Sequence, residues 1–182
     1  MLAQGGGYVV HEGCDHIFFV GFLGAGKSTL ARNLGALFHR PYVDTDRLVE
    51  RRLGRSVTEI FAREGEEAFR DAETAELRRL ARRKSLLVSC GGGIVERQEN
   101  CSLMHEMGVI VYLDGDLADS LRQIRCPERR PDLGSAEHAE LVYRHRRPLY
   151  EEAADVTIDI RNRTFEQVAH AAAQLLWERG LL

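Results

Sequence analysis

A chain of 182 residues, 44% hydrophobic and 29% charged, carries enough apolar material for one buried core and reads as a single soluble domain. Its net charge of −3 excludes the dominating basic surface that a broad nucleic-acid footprint needs, and no apolar run approaches the roughly 18 residues of a membrane-crossing helix. Cys14, Cys90, Cys101 and Cys126 form no C-x-x-C pair and no metal-ligand spacing. They are expected to be reduced thiols, and the N-terminus has no basic start followed by an apolar stretch, so the expected location is the cytoplasm.

Residues 1–15, with Gly5-Gly6-Gly7, are expected to be a flexible leader, and residues 16–182 one domain. His11 and His16 lack partners at ligand spacing and are expected on the surface. The apolar run Ile17-Phe18-Phe19-Val20 predicts a buried strand. It leads directly into Gly21-Phe22-Leu23-Gly24-Ala25-Gly26-Lys27-Ser28, which fits G-x-x-x-x-G-K-[ST] at every position. In that context backbone N–H groups of Gly24 to Thr29 and a helix N-terminus form an anion cradle. Lys27 reaches the β- and γ-phosphates and the Ser28 hydroxyl ligates Mg²⁺, which makes this an ATP-type nucleotide site. Only Lys27 and Lys84 among the 25 basic residues are lysine; a compact ammonium on a flexible stem is kept where phosphates must be met. An amphipathic helix is predicted to follow, with Leu30, Leu34, Leu37 and Phe38 on one face.

Tyr42-Val43 opens a short strand that ends at Asp44-Thr45-Asp46. Ligands of open parallel sheets sit at the carboxyl ends of strands, so these carboxylates are expected to face the phosphate site. One approaches Mg²⁺ through water and the other orients a substrate hydroxyl, unless one simply caps the helix Arg47–Leu53. Ser56-Val57-Thr58-Glu59 has capping-box form, and a long helix then runs to about Arg83. Within it Arg70 has so many acidic neighbours that, read locally, it is a surface ion pair. The Arg78-Arg79 and Arg82-Arg83-Lys84 run is expected to be a solvated face.

Leu86–Ser89 predicts a buried strand that ends in Cys90-Gly91-Gly92-Gly93, where three glycines permit close approach of backbone and ligand. Cys90 is expected to be a packed thiol. Val109–Leu113 is a further strand, and a helix from Leu117 to about Ile124 gives way to Arg125–Gly134, whose mix of cations, proline and glycine suits a lid over phosphates. A helix from Ala136 leads to Pro148-Leu149-Tyr150, Val156–Ile160 is the last strand, and Phe165–Arg179 the closing helix. Hydrophobic strands alternating with helices predict a five-stranded parallel sheet covered on both faces.

Taken together, the phosphate loop, Asp44-Thr45-Asp46, Gly65-Glu66-Glu67-Ala68-Phe69-Arg70, Gly91-Gly92-Gly93, Arg130-Pro131 and Arg146-Arg147-Pro148-Leu149-Tyr150 resemble shikimate kinase, over about residues 17–175. The resemblance implies a three-layer P-loop kinase fold with strand order 2-3-1-4-5, a substrate-binding insertion at about 45–75 and a lid at about 122–135. It implies ATP-dependent phosphorylation of the shikimate 3-hydroxyl with Mg²⁺, on the way to chorismate and the aromatic amino acids, by a monomer with no nucleic-acid or membrane partner. By matching position, Lys27, Asp46 and Arg130 are then catalytic, with Asp46 holding the reacting hydroxyl and Arg130 meeting the transferring phosphate. Asp44 lies behind the metal's water shell and Ser28 binds the metal. Arg70 and Arg146 grip the substrate carboxylate, and Gly91, Gly92 and Gly93 line the ring. Arg70 thereby becomes a site residue. Asp132 stands after Arg130-Pro131, where the family usually has an apolar residue. Two alternatives stay open: a kinase of another hydroxylated acid, such as gluconate or quinate, and a non-catalytic nucleotide-binding regulator.

Overall fold

The computed structural model describes residues 16–123 and 135–182. Five parallel strands, β1 (His16–Val20), β2 (Tyr42–Asp44), β3 (Leu87–Ser89), β4 (Gly108–Asp114) and β5 (Val156–Asp159), form one sheet in the order β2-β3-β1-β4-β5. This is the predicted order. Between them run α1 (Lys27–Leu37), α2 (Thr45–Leu53), α3 (Val57–Leu80), α4 (Gln98–Met107), α5 (Leu117–Gln123), α6 (Ala136–Ala153) and α7 (Phe165–Glu178).

Burial on both faces explains why the central strand is apolar from Ile17 to Val20. Phe18 and Val20 point into one core with Leu77 and Leu80 of α3, Met104 of α4 and Tyr150 of α6. Ile17 and Phe19 point into a second core with Leu30 and Leu34 of α1 and Leu176 of α7. Each fully buried side chain of this kind contributes roughly 1.5–3 kcal/mol. Val49, Ile60 and Phe69 make a small separate core between α2 and α3. The capping box at the start of α3 forms as read: Ser56 N–H donates to Glu59 at 2.8 Å, and Glu59 N–H donates to the Ser56 hydroxyl.

Several expectations are corrected. His16 is not a surface residue but fully buried in β1. Its Nε2 contacts Leu80 O at 3.0 Å, and its Nδ1 accepts the Leu86 N–H at 3.1 Å. Donating at one nitrogen and accepting at the other fixes the neutral tautomer. His16→Ala leaves the buried Leu86 N–H unpaired, while Leu80 O keeps the Arg83 N–H at 2.8 Å, and urea unfolding is expected to show a loss of about 2 kcal/mol. Leu37 is 65% exposed. The buried stripe of α1 is Lys27, Leu30, Ala31, Leu34 and Gly35, and Leu37 falls about a quarter-turn from its centre.

Helix α4 was not predicted from sequence. Its N-cap, Arg97, makes no capping bond, so the usual start signal is missing, although Cys101, Met104 and Met107 are buried at three-residue spacing. Helix α3 ends at Leu80 rather than Arg83, and it breaks at Gly65, whose φ of 85° no neighbouring residue shares. Helix α6 passes through Pro148 to Ala153. The lost backbone bond is offset by Tyr150, which is buried, stacked on Tyr112 at 5.3 Å, and donates its hydroxyl to Gly92 O at 2.5 Å.

Candidate active site

The carboxyl ends of β1, β2 and β3 meet at one edge of the sheet, and those predicted site residues that lie among the described ones converge there. The loop Gly21–Gly26 connects β1 to α1, with φ of 81° at Gly24 and 83° at Gly26. A side chain at Gly24 would also collide with the Ser120 carbonyl of α5, so only glycine fits. Gly26 caps α1 without a side-chain bond, which leaves the helix N-terminus to the loop's ligand. Lys27 is 8% exposed, and its ammonium donates to Gly21 O at 2.7 Å and Phe22 O at 2.9 Å. The charge is thus held inside the loop.

Ser28, Asp44 and Ser89 join the ends of three elements. The Ser28 hydroxyl donates to Asp44 Oδ2 at 2.8 Å and lies 2.9 Å from Ser89 Oγ. Asp44 also caps α2, with Oδ1 accepting the Arg47 N–H at 3.2 Å. Asp44 thus caps α2 and at the same time stands beside the first turn of α1. Among the described residues no group of three or more His, Cys, Asp or Glu side chains is arranged for a metal. A hydroxyl and a carboxylate beside a phosphate loop suit a hard ion that keeps water and takes its remaining oxygens from phosphates, which is the habit of Mg²⁺.

On the other side of Gly91–Gly93 lie Asp46, Arg70 and Arg146. The Gly91 N–H donates to Thr45 Oγ1 at 2.8 Å, which ties the glycine turn to the first turn of α2. The missing Cβ atoms are what let the side chains in. A Cβ at Gly91 would strike Asp46, one at Gly92 would come within 3.3 Å of Arg146 Nη1, and one at Gly93 would enter the Arg70 guanidinium. Arg70 and Arg146 are 4% and 2% exposed. Arg70 is therefore not a surface ion pair, as its local sequence suggests. Its Nη1 donates to Glu73 at 3.1 Å and its Nη2 to Glu66 at 2.8 Å, and Arg146 Nε donates to Glu96 at 2.6 Å. Burial works against the charge on Arg70, but Glu73 and Glu96 overcome it and hold its pKa above the ordinary value.

Sequence reasoning missed Glu66, Glu73, Glu96 and Ser89. Their only signal is position: Glu66 and Glu73 fall one turn either side of Arg70, and Ser89 and Glu96 flank the glycines. Glu73 is fully buried, and burial, reinforced by the charge of Asp46 and opposed by Arg70, raises its carboxyl to about 7. Cys90 is buried, with its thiol pushed well up by burial, as expected of a packed thiol. Cys101 is buried as well. Arg130, Pro131 and Asp132, with most of the expected lid, and the leader with His11, lie outside the described residues. The Arg78-Arg79 and Arg82-Arg83-Lys84 run is exposed, as expected.

Comparison with known proteins agrees with this geometry. The family model described as shikimate kinase matches residues 23–177. The shikimate kinase of Vibrio parahaemolyticus is 36% identical over 167 residues, 90% of this chain and 97% of the relative. That of Cupriavidus pinatubonensis is 37% identical over 174 residues, 94% of this chain and 91% of the relative. Among solved structures, shikimate kinase from Acinetobacter baumannii in complex with shikimate superposes with a TM-score of 0.86 at 32% identity, covering 93% of this chain and 96% of that one. Shikimate kinase from Aquifex aeolicus superposes with a TM-score of 0.77 at 26% identity, covering 91% and 98%. With its sheet order, its phosphate loop and these relatives, the chain belongs to the shikimate kinase family of ATP-dependent P-loop kinases.

Proposed function

We propose that the protein transfers the γ-phosphoryl group of ATP to the 3-hydroxyl of shikimate. The observation that carries this reading is the meeting, across Gly91–Gly93, of a phosphate loop with a pocket that brings Asp46 beside two buried arginines, Arg70 and Arg146, which Glu66, Glu73 and Glu96 hold in place. Two guanidinium groups in a dry pocket fit a carboxylate, and a single aspartate beside them fits a hydroxyl. The Acinetobacter relative was solved with shikimate bound.

In this reading Gly24 to Thr29 cradle the phosphates, and Lys27 exchanges its hold on the Gly21 and Phe22 carbonyls for phosphate oxygens. Ser28 would hold Mg²⁺, with Asp44 behind its water shell, and the bound ion would supply charge neutralisation at the phosphates. Asp46 aligns the 3-hydroxyl and accepts its proton as the hydroxyl oxygen attacks phosphorus and ADP leaves. Arg130 is assigned to the transferring phosphate by the resemblance alone. Phosphoryl transfer needs positioning and charge neutralisation more than covalent help, and the site supplies both. The insertion at about 45–75 is the substrate half, with its own small core at Val49, Ile60 and Phe69, and about 122–135 is the lid. We read the enzyme as a cytoplasmic monomer without nucleic-acid partners. No described helix is long and apolar enough to cross a membrane.

The test is ADP release by the purified protein with MgATP and, separately, shikimate, quinate or gluconate. Shikimate-dependent release supports the reading. Release with another acid reassigns the pocket, and ATP binding without any turnover favours a regulator. Gly93→Ala is expected to lower kcat/KM for shikimate roughly 10²-fold by displacing Arg70, while the KM for ATP stays within about twofold because the phosphate loop is untouched.

A further inference from the structure

The arginine pair is already surrounded by carboxylates. Arg70 meets Glu73, Glu66 and Glu96, and Arg146 meets Glu96. Glu73 differs from the others. It is 0% exposed, whereas the side chains of Glu66 and Glu96 are 48% and 25% exposed. Its Oε2 accepts from Arg70, and its Oε1 is buried with no hydrogen-bond partner among the described residues. A Cβ at Gly91 would strike Asp46 Oδ1 and come within 2.6 Å of Glu73 Oε1. The two carboxyl groups therefore face each other across that glycine, inside the roughly 6 Å over which like charges oppose each other's ionisation. The other groups around Glu73 are Arg146 from α6 and the Cys90 thiol from the end of β3, which burial keeps neutral.

The charges then set a constraint. Arg70 and Arg146 are matched, before any ligand enters, by Glu73 and Glu96. A substrate carboxylate adds another anion to the same two cations, beside Asp46, in a pocket with little water to screen it. A buried cluster with excess negative charge is costly, and the group least able to stay ionised is the one without solvent and with an unsatisfied oxygen.

We propose that Glu73 takes up one proton from solvent when the acid substrate binds, so that Arg70 exchanges the Glu73 carboxylate for the substrate's. This rests on the reading of Arg70 and Arg146 as the carboxylate grip. The O–H bond forms at Glu73 Oε1 at the expense of hydronium or a buffer acid, and it is returned when product leaves. The protonated oxygen then donates toward Asp46 Oδ1, which satisfies the orphaned atom and keeps the Asp46 side chain aimed at the 3-hydroxyl. Glu73 is thus a positioning residue whose protonation is coupled to binding.

The experiment is calorimetric titration of the full chain with shikimate in buffers of different ionisation enthalpy. At pH 8 free Glu73 is mostly ionised, since its carboxyl titrates at about 7, and uptake approaching one proton per shikimate is expected. At pH 6 uptake falls well below one, and above pH 7 the affinity weakens by up to about tenfold per pH unit. Glu73→Gln, which keeps an acceptor for Arg70, is expected to bind shikimate with no uptake at pH 8 and with a flat pH dependence. Binding heat without proton uptake at pH 8 in the native protein overturns the proposal, as does uptake that persists in Glu73→Gln. The absence of shikimate heat at either pH overturns the substrate reading itself and removes this inference with it.

Discussion

Lys27→Met is expected to lower shikimate-dependent ADP formation by at least about 10³-fold, with the fold retained. Methionine matches the stem of lysine and fills the same buried track, so the loop keeps its shape while the charge is lost. The ammonium is held by the Gly21 and Phe22 carbonyls, within the loop where the β- and γ-phosphates are expected. No other lysine is near in sequence to replace it, since Lys84 stands in the exposed run after α3. The two carbonyls lose a donor, which costs about 1–3 kcal/mol where water cannot reach them. A coupled assay at saturating ATP and shikimate, alongside a melting curve, separates the two effects. Activity within tenfold of native would mean that the ammonium does not meet the transferring group.

Arg70→Met has two expected effects of different pH dependence. The KM for shikimate rises by about 10² or more, since truncating one partner of a buried charge pair costs about 2–5 kcal/mol. Stability falls as well, because Glu73 is left buried without its closest cation, a loss of about 3–5 kcal/mol while it remains ionised. The sign with pH follows from the raised carboxyl. A folded-state value near 7, above the ordinary carboxylate range, means the folded protein binds the extra proton between those values. The stability linked to that proton is present at acid pH and is lost as pH rises through the folded value. Removing Arg70 raises that value further, so the destabilisation is expected to be larger at pH 8 than at pH 5. The double variant Arg70→Met/Glu73→Gln should recover most of the stability and none of the shikimate affinity. Urea unfolding at the two pH values and steady-state kinetics measure both arms. Equal destabilisation at pH 5 and pH 8 would mean that Glu73 is not the group left behind.

What could be read from sequence was the local chemistry. The run into β1, the phosphate-loop spacing, the two aspartates after β2 and the glycines after β3 each need only a few adjacent residues, and each lies at the sheet edge as expected. What escaped depends on partners distant in the chain. His16 is buried because Leu80 and Leu86, 64 and 70 residues away, supply its hydrogen bonds. Arg70 reads as a surface pair from its own helix, and only the glycine turn and Glu96 reveal a buried pocket. Glu73 carries no motif, and its burial comes from α2 and the turn after β3 arriving on either side. Pro148 reads as a helix end because nothing nearby in sequence announces that Tyr150 will be anchored to Gly92.

The strand order also governs how the chain comes together. β1 precedes the other described strands in the chain, yet its hydrogen-bonded neighbours are β3 and β4, with Ile17 paired to Leu87 and to Val109. Neither neighbour is adjacent in sequence, so two long loops must close before β1 is held on both sides, and such closures slow folding. During synthesis the phosphate loop leaves the ribosome before β3 and β4, and it has no complete scaffold until β4 has followed it. The most recognisable motif in the chain thus gains its finished shape only after β3 and β4 have joined β1, and until then its apolar strand is unpartnered and open to aggregation.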